Sequence, residues 1–262
     1  MNAKKAKKAK KMGLALGGGA VLGAAHVGVL RVIDEYEIKI THVAGTSIGA
    51  FVAAFFAFGK TWEEIREIAT EMKWLDITGV SLSRFALLSN EKLGELIVRH
   101  IGDKKIEDAD IPLAMVAADI ATGEKIVLKK GSVAEAAMAS TCIPGVFKPV
   151  EIDGKTLVDG GVVENVPVNT LKDLGAKKII AVDLNSQHAY GSPENILDVI
   201  LNSFHYTMQA SSELLTKEAD ILIEPDLSKF NRSNMDQVET LMEKGYKDAK
   251  KQLGKVFKKK SG

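Results

Sequence analysis

The sequence predicts a three-layer α/β/α fold in which helices cover both faces of a mainly parallel central sheet. Short apolar segments that favour strands alternate along the chain with longer segments that favour helices, an order typical of α/β proteins. Two of the strand-to-helix junctions contain several glycines, as tight βα turns often do. A chain of 262 residues can bury one sizeable core, and no internal repeat or long linker divides it. We therefore expect a basic, disordered N-terminal tail over residues 1–12 and a single domain over residues 13–262.

Seven short segments have the apolar character of strands. They are 13–16, 41–44, 113–119, 125–128, 155–158, 179–184 and 221–223. Eight longer segments have the pattern of helices. They are 21–36, 48–58, 62–72, 91–101, 133–139, 167–174, 193–216 and 235–257. Pro193 fits the first turn of its predicted helix, with Ser192 as the capping residue.

The pentapeptide Gly45-Thr46-Ser47-Ile48-Gly49 lies at the second strand-to-helix junction. A G-x-S-x-G sequence at such a junction is typical of a nucleophile elbow, a sharp turn that exposes the serine hydroxyl. Gly45 and Gly49 let the backbone turn and leave room for a substrate beside the hydroxyl. The helix that follows directs its free amides and its positive dipole end at any developing negative charge. Ser47 is therefore the candidate nucleophile.

The glycines Gly17, Gly18 and Gly19 separate the first predicted strand from the first helix. Consecutive glycines can point several backbone N–H groups into one concavity. Such a concavity could hold the oxyanion of a tetrahedral intermediate or a phosphate, and a tight turn with close helix-strand packing needs the same residues. His26 lies in the following helix on the face of Leu22, which predicts a packed and hydrogen-bonded side chain.

A third motif, Asp159-Gly160-Gly161, follows the predicted strand over residues 155–158. The strand can hold the aspartate in place while the two glycines leave its surroundings uncrowded. An ordinary Asp-Gly turn has the same composition, so this motif alone is compatible with either interpretation.

Together and in this order, the three motifs resemble those of the patatin-like phospholipase family. The resemblance extends over about residues 13–185. Its further segments are 24–30, 118–124, 139–150 and 158–168. One position departs from the family pattern: Leu22 stands where the family usually carries Arg or Lys, just before the last glycine of the first loop. We therefore expect no basic side chain at that position to help hold the substrate or the loop.

The resemblance implies a patatin-like fold and hydrolysis of lipid acyl esters, as by a phospholipase A or a lysophospholipase. It implies a dyad without histidine, in which Ser47 is the nucleophile and Asp159 the general base. Burial would raise the pKa of this carboxyl from its value of about 3.9 in water and make it a better base. The implied oxyanion hole is formed by the amides of the first glycine loop. The glycines with implied roles are Gly17, Gly18 and Gly19 in the hole, and Gly45, Gly49, Gly160 and Gly161 in support of the other two motifs.

Other functions are compatible with parts of the pattern. His188 follows Asp159 in the chain order of an α/β-hydrolase triad, although the glycine triplet and Gly160-Gly161 favour the dyad. A glycine-rich loop after a strand also occurs in nucleotide-binding folds, but those need an acidic residue at the end of the second strand, which here ends in Thr46-Ser47. A small-ester or thioester hydrolase, and a non-catalytic protein that kept the fold, are the remaining alternatives.

Composition agrees with an enzyme that has no nucleic-acid partner, because the net charge is only +1. The single cysteine, Cys142, excludes an internal disulfide and suits a reducing compartment, and its apolar surroundings predict a buried side chain. Histidine and cysteine are too few and too scattered for a metal site, and serine hydrolysis needs no cofactor. The sequence does not indicate an oligomeric state.

The sequence shows no secretory signal pattern, and its longest uncharged run, residues 43–59, is shorter than a membrane span. We therefore expect a cytoplasmic protein that binds an acyl-ester lipid. Six lysines between Asn2 and Met12 are compatible with peripheral contact with an anionic membrane surface. Residues 75–90 form the least regular stretch and fit either a lid beside an acyl-chain site or a packed surface loop.

Overall fold

The computed structural model describes residues 11–74, 79–80, 88–186, 192–232 and 234–257. The strands in these ranges are β1 (Lys11–Leu16), β2 (Lys39–Thr46), β3 (Gly79–Val80), β4 (Leu88–Ser89), β5 (Leu113–Asp119), β6 (Lys125–Leu128), β7 (Val150–Ile152), β8 (Lys155–Asp159), β9 (Ile179–Val182) and β10 (Ile221–Ile223). The α-helices are α1 (Ala24–Glu35), α2 (Ile48–Ala57), α3 (Trp62–Trp74), α4 (Glu91–Ile101), α5 (Val133–Ser140), α6 (Gly161–Glu164), α7 (Val168–Asp173), α8 (Ile196–Leu215) and α9 (Val238–Leu253). Short 3₁₀ turns occur at Ala20–Gly23, Ile106–Asp108, Thr216–Glu218 and Met235–Gln237.

The central sheet has the strand order β10-β9-β1-β2-β5-β8-β7, with β6 also paired to β5. The strands from β10 to β5 run parallel to their neighbours, whereas β6, β7 and β8 form antiparallel pairs at one side. This arrangement confirms the predicted, mainly parallel sheet.

Both faces of the sheet are covered, as predicted. Along β1, Leu14 and Leu16 belong to the larger core cluster, which also contains side chains of α1, α2 and α9. Ala15, between them in sequence, belongs to a second cluster with Val168 and Leu171 of α7. The alternation follows from the two-residue period of a strand. None of the helices in the described ranges combines the length and the apolar character needed to cross a bilayer.

The strand order reverses direction at β1, which is paired with β2 on one side and with β9 on the other. Because these three strands are parallel, their carboxyl ends meet at one edge of the sheet. Open α/β sheets bind ligands in the crevice outside such a switch point. The glycine loop after β1 and the serine turn after β2 both lie at this edge.

Several predicted boundaries differ from the observed ones. Strand β1 begins at Lys11, because Lys11 and Met12 pair with β2, so these two residues belong to the sheet and not to the expected tail. The expectation that Pro193 opens the long helix is wrong: α8 begins at Ile196, where the side chain of Asn195 accepts a hydrogen bond from the Asp198 amide. An asparagine cap satisfies a free amide of the first turn and therefore sets the start of the helix.

Apart from β3 and β4, two elements were not predicted from the sequence. Strand β7 forms a hairpin with β8 through Asp153-Gly154, and both turn residues have positive φ (51° and 74°). An Asp-Gly pair between short apolar runs is a strong hairpin signal, so the sequence contained the information.

The single-turn helix α6 follows Asp159-Gly160 directly. Most of the irregular stretch 75–90 lies outside the described residues; within it, β3 pairs with β4 in antiparallel orientation.

Candidate active site

Ser47 occupies the sharp turn between β2 and α2, as the elbow motif predicts. Its backbone has φ 55° and ψ −132°, a strained conformation for a residue with a side chain. The Ser47 amide donates to Ser140 Oγ (2.9 Å), and the Ser140 hydroxyl donates to the Val116 carbonyl (2.6 Å). The Ser47 side chain does not cap α2. The turn is thus fixed through its backbone, and the hydroxyl is left for chemistry.

The two glycines of the elbow are required by close approach of the backbone. A Cβ on Gly49 would lie 2.1 Å from the carbonyl oxygen of Leu16, in β1. A Cβ on Gly45 would lie 2.3 Å from the carbonyl oxygen of Gly49. Neither position can hold a side chain without moving the main chain, and so both glycines support the placement of Ser47 against the end of β1.

Asp159 is the last residue of β8. The pairing of β2 with β5 and of β5 with β8 brings it close to Ser47. Thr46 of β2 pairs with Val116 of β5, and the next residue, Ala117, pairs with Asp159. The Asp159 amide donates to the carbonyl of Cys142 (2.8 Å). Its carboxylate Oδ1 accepts a hydrogen bond from the Gly161 amide (2.8 Å).

The pKa of the Asp159 carboxyl is suited to accepting a proton near neutral pH. Complete burial raises its pKa from 3.8 to about 7, against the opposing effects of hydrogen bonding by the Ser47 hydroxyl and the Gly161 amide. Oδ2 makes no hydrogen bond within the described residues, although the Ser47 hydroxyl lies near enough to lower the pKa of the carboxyl. A base whose pKa is close to the working pH accepts a proton most effectively.

The glycine loop offers one free amide among its three glycines. The Gly17 amide donates to the carbonyl of Val182 (3.1 Å), and the Gly18 amide donates to Asn165 Oδ1 (3.0 Å). The Gly19 amide has no partner among the described residues. In this state Gly19 is therefore the strongest candidate donor to an oxyanion, and Gly18 would first have to release Asn165.

His26 lies behind the loop and is not positioned as a base. Its Nε2 donates to the carbonyl of Gly17 (2.8 Å), which fixes the neutral tautomer because a carbonyl only accepts. Burial lowers the pKa of His26 to about 4, so the ring stays neutral at physiological pH. The prediction of a packed, hydrogen-bonded histidine is confirmed.

Leu22 and Cys142 have no part in the chemistry that the geometry supports. Leu22 is fully buried in the core and supplies no polar group to the site. Cys142 is buried, and desolvation raises the pKa of its thiol to about 12, which leaves it unreactive. His188 lies outside the described residues. Across the described ranges no group of three or more His, Cys, Asp and Glu side chains is arranged to hold a metal ion.

The side chains that hold the site together were not predicted from the sequence. Asn165 accepts from the Gly18 amide and donates to Ser212 Oγ of α8 (2.9 Å). Asn185 donates to the carbonyl of Gly18 (2.8 Å). Met208 of α8 packs over both glycine motifs: a Cβ on Gly18 would lie 3.0 Å from its Cε, and one on Gly161 2.9 Å from its Cγ. No local sequence signal marks these partners, because each contact joins distant parts of the chain.

Comparison with known proteins shows which family this chain is similar to. The family model "Patatin-like phospholipase" matches residues 14–172. An uncharacterized NTE family protein of Mycobacterium tuberculosis is 34% identical over 184 residues, which cover 68% of this chain and 50% of that protein. Patatin-like phospholipase domain-containing protein 6 of Homo sapiens is 35% identical over 185 residues, covering 66% of this chain and 13% of that protein. The chain thus spans about half the length of the mycobacterial relative.

A solved structure shares the fold at low sequence identity. The crystal structure of VipD from Legionella pneumophila superposes with a TM-score of 0.57 and 16% identity, and the match covers 93% of this chain and 67% of that chain. The likeness extends beyond the residues that the family model matches.

Proposed function

This chain belongs to the patatin-like phospholipase family, and from that membership and the geometry of the site we propose that it is a serine hydrolase of lipid acyl esters. In this proposal Ser47 is the nucleophile, Asp159 is the general base, and the glycine loop after β1 binds the oxyanion. The single observation that carries the proposal is the buried Asp159 carboxyl, which accepts from the Gly161 amide and lies near enough to the Ser47 hydroxyl for that hydroxyl to lower its pKa.

The first half of the reaction transfers the acyl group to the enzyme. Asp159 takes the hydroxyl proton as Ser47 Oγ attacks the ester carbonyl, whose oxygen becomes an oxyanion. The Gly19 amide and the N-terminal end of α2 stabilise that charge. The intermediate then collapses, the bond to the alcohol oxygen breaks, and Asp159 returns the proton to the leaving alkoxide.

The second half releases the acid. Asp159 takes a proton from water, and the oxygen of that water attacks the acyl carbonyl. A second tetrahedral intermediate forms in the same oxyanion site and collapses. The Ser47 oxygen leaves, recovers its proton from Asp159, and the fatty acid departs. No step requires a metal or an organic cofactor.

Turnover of a chromogenic short-chain ester tests the activity. We expect hydrolysis by the wild-type protein and its loss in Ser47→Ala, with unchanged circular dichroism. Equal activity in Ser47→Ala would assign the turnover to another residue or to a contaminant, and no turnover in a folded, monodisperse wild type would favour a non-catalytic protein.

The outer face of α8 supports contact with a lipid surface. Its inner face carries Met208 over the glycine motifs, whereas its outer face exposes apolar side chains. These are Ile196, Val199, Ile200, Tyr206 and Leu214, of which Ile196 and Leu214 are 75% and 70% exposed. The proposed substrate presents its esters at a bilayer, and an exposed apolar stripe beside the site matches that surface.

Vesicle sedimentation tests this contact. The double substitution Ile196→Ser and Leu214→Ser should lower the bound fraction while soluble-ester turnover stays within twofold. Ile120→Ser, at an exposed apolar residue outside α8, serves as the control. Deleting residues 2–10, which retains Lys11 of β1, should weaken binding only to anionic vesicles. Undiminished binding in the double variant, together with rates that do not rise with acyl length, would favour a small-ester or thioester hydrolase.

A further inference from the structure

The peptide between Gly18 and Gly19 is anchored by a side chain that comes from the turn after β9. Asn185 is fully buried, and its Nδ2 donates to the carbonyl oxygen of Gly18 (2.8 Å). Its Oδ1 accepts a hydrogen bond from Arg232 Nη2 (2.5 Å). A continuous series of hydrogen bonds therefore connects the Arg232 guanidinium, through the Asn185 side-chain amide, to the glycine loop.

The Gly18 carbonyl and the Gly19 N–H belong to the same peptide group. In a planar trans peptide these two bonds point in opposite directions. Fixing the carbonyl oxygen against Asn185 therefore fixes the direction of the Gly19 N–H, on the far side of the peptide plane. A glycine loop without this anchor could rotate the peptide, because glycine has few preferred backbone angles.

The neighbouring peptide is held differently. The Gly17 carbonyl accepts from His26 and the Gly18 amide donates to Asn165, so the peptide between Gly17 and Gly18 is bound at both ends. The peptide between Gly18 and Gly19 is bound at its oxygen and leaves its N–H available among the described residues. The loop is thus built to present one amide and to restrain the rest.

We propose that Asn185 and Arg232 act as positioning residues for the oxyanion donor, by holding the Gly18–Gly19 peptide so that the Gly19 N–H faces the acyl carbonyl attacked by Ser47. The assignment rests on the proposed function. Both residues lie outside residues 14–172, the segment that the family model matches. Arg232 is tied to the loop a second time, because its carbonyl accepts from the Val21 amide (3.1 Å).

The chemistry of the two partners matches an asparagine at position 185. The Gly18 carbonyl only accepts and the guanidinium only donates, so the linking group must donate at one end and accept at the other. An aspartate would accept from Arg232 but would set a carboxylate oxygen against the Gly18 carbonyl. The positive charge of Arg232 also polarises the amide, and hydrogen bonds in series strengthen one another, which makes the Gly19 N–H a better donor.

Steady-state kinetics of Asn185→Ala on a soluble chromogenic ester tests the kinetic role. The loss of one oxyanion donor lowers kcat by about 100-fold or more, and a donor that is misdirected for part of the time should lose at least about tenfold. We expect kcat to fall by that amount with KM within twofold, since the donor acts on charge that develops in the transition state. Asn185→Asp should lose more than Asn185→Ala, and Arg232→Lys should lose less than Arg232→Met.

Asn90→Ala is the matched control for the removal of a buried asparagine. Asn90 is 2% exposed and donates to the carbonyl of Met138 (2.7 Å) and to Thr141 Oγ1 (3.1 Å), away from the glycine loop. Its loss should cost stability and leave kcat within twofold. Equal losses of kcat in Asn90→Ala and Asn185→Ala would make Asn185 a merely structural residue and overturn the proposal.

A second readout works without turnover and separates this proposal from the proposed function. In ¹H–¹⁵N spectra, Asn185→Ala should shift and broaden the Gly19 amide resonance, while the Gly45 amide of the elbow keeps its position. Those changes in a protein that hydrolyses no ester would uphold the anchoring and refute only the hydrolase function. An unchanged Gly19 resonance in a folded variant would overturn the positioning role, whatever the activity.

Discussion

Replacing Asp159 with asparagine should stabilise the fold above pH 7 while it removes ester hydrolysis. Burial raises the pKa of Asp159 from 3.8 to about 7, so the folded state disfavours its charged form. Each pKa unit corresponds to about 1.4 kcal/mol, and a rise of about three units therefore costs the folded protein about 4 kcal/mol once the group is ionised. Asparagine is neutral at every pH and keeps an oxygen for the Gly161 amide, so it does not carry this cost.

The sign of the pH dependence follows from proton uptake. Below about pH 4 the carboxyl is protonated in both the folded and the unfolded chain, and it contributes no difference. Between about pH 4 and pH 7 the unfolded chain loses the proton while the folded chain keeps it, so the free energy of unfolding falls as pH rises. Above pH 7 the full cost is present. The stability gained by Asp159→Asn should therefore grow from near zero at pH 4 to about 4 kcal/mol at pH 8.

Urea unfolding at pH 4.5, 6, 7 and 8 measures this gain. Ser47→Ala is the control, because it removes the nucleophile and keeps the carboxyl. The loss of the hydroxyl removes an effect that lowers the Asp159 pKa, so the free energy of unfolding of this variant should fall with rising pH at least as steeply as that of the wild type. Other buried acids cancel in the comparison, including Asp183, whose pKa burial raises to about 6. A free-energy difference between wild type and Asp159→Asn that stays constant from pH 4.5 to pH 8 would refute the reasoning.

Three further predictions concern activity and packing. The wild-type kcat/KM should rise with pH through a midpoint near 7, because only the ionised form of Asp159 accepts a proton; a midpoint near 4 would contradict the raised pKa. His188→Ala should keep kcat within a few-fold, and a collapse of activity in a folded variant would replace the dyad with a triad. Gly49→Ala should lower the urea midpoint by the equivalent of about 3 kcal/mol or more, since its Cβ would lie 2.1 Å from the Leu16 carbonyl oxygen; an unchanged midpoint would show that the elbow can relax.

The sequence predicts the elements whose ends are marked by local chemistry. The segments 91–101, 113–119, 125–128 and 221–223 have the observed bounds. The start of α8 was misplaced because Pro193 and Asn195 are both acceptable at a helix start, and only the side-chain hydrogen bond of Asn195 decides between them. Lys11 was assigned to a tail because a charged side chain does not indicate a strand, although its backbone pairs with β2.

The sequence predicts the motifs of the site but not the side chains that orient them, again because only local signals are visible in it. The elbow, the glycine loop and the Asp-Gly-Gly motif each constrain a few consecutive residues, and such constraints are visible in sequence. The groups that orient the loop are not: Gly18 and Asn165 are 147 positions apart, and Gly18 and Asn185 are 167 apart. These contacts depend on the strand order of the sheet, which brings the ends of β1 and β9 together. Which amide is free to bind an oxyanion therefore needs the folded structure.

The rate of labelling by a fluorophosphonate, followed across pH and mapped to a peptide, tests the Ser47–Asp159 dyad most directly. The reagent reacts only with an activated serine and reports the base without a deacylation step. We expect a single label on Ser47, a rate that rises through a midpoint near pH 7, and a fall of at least about 100-fold in Asp159→Asn. Labelling of Asp159→Asn at the wild-type rate, or on a residue other than Ser47, would refute the dyad.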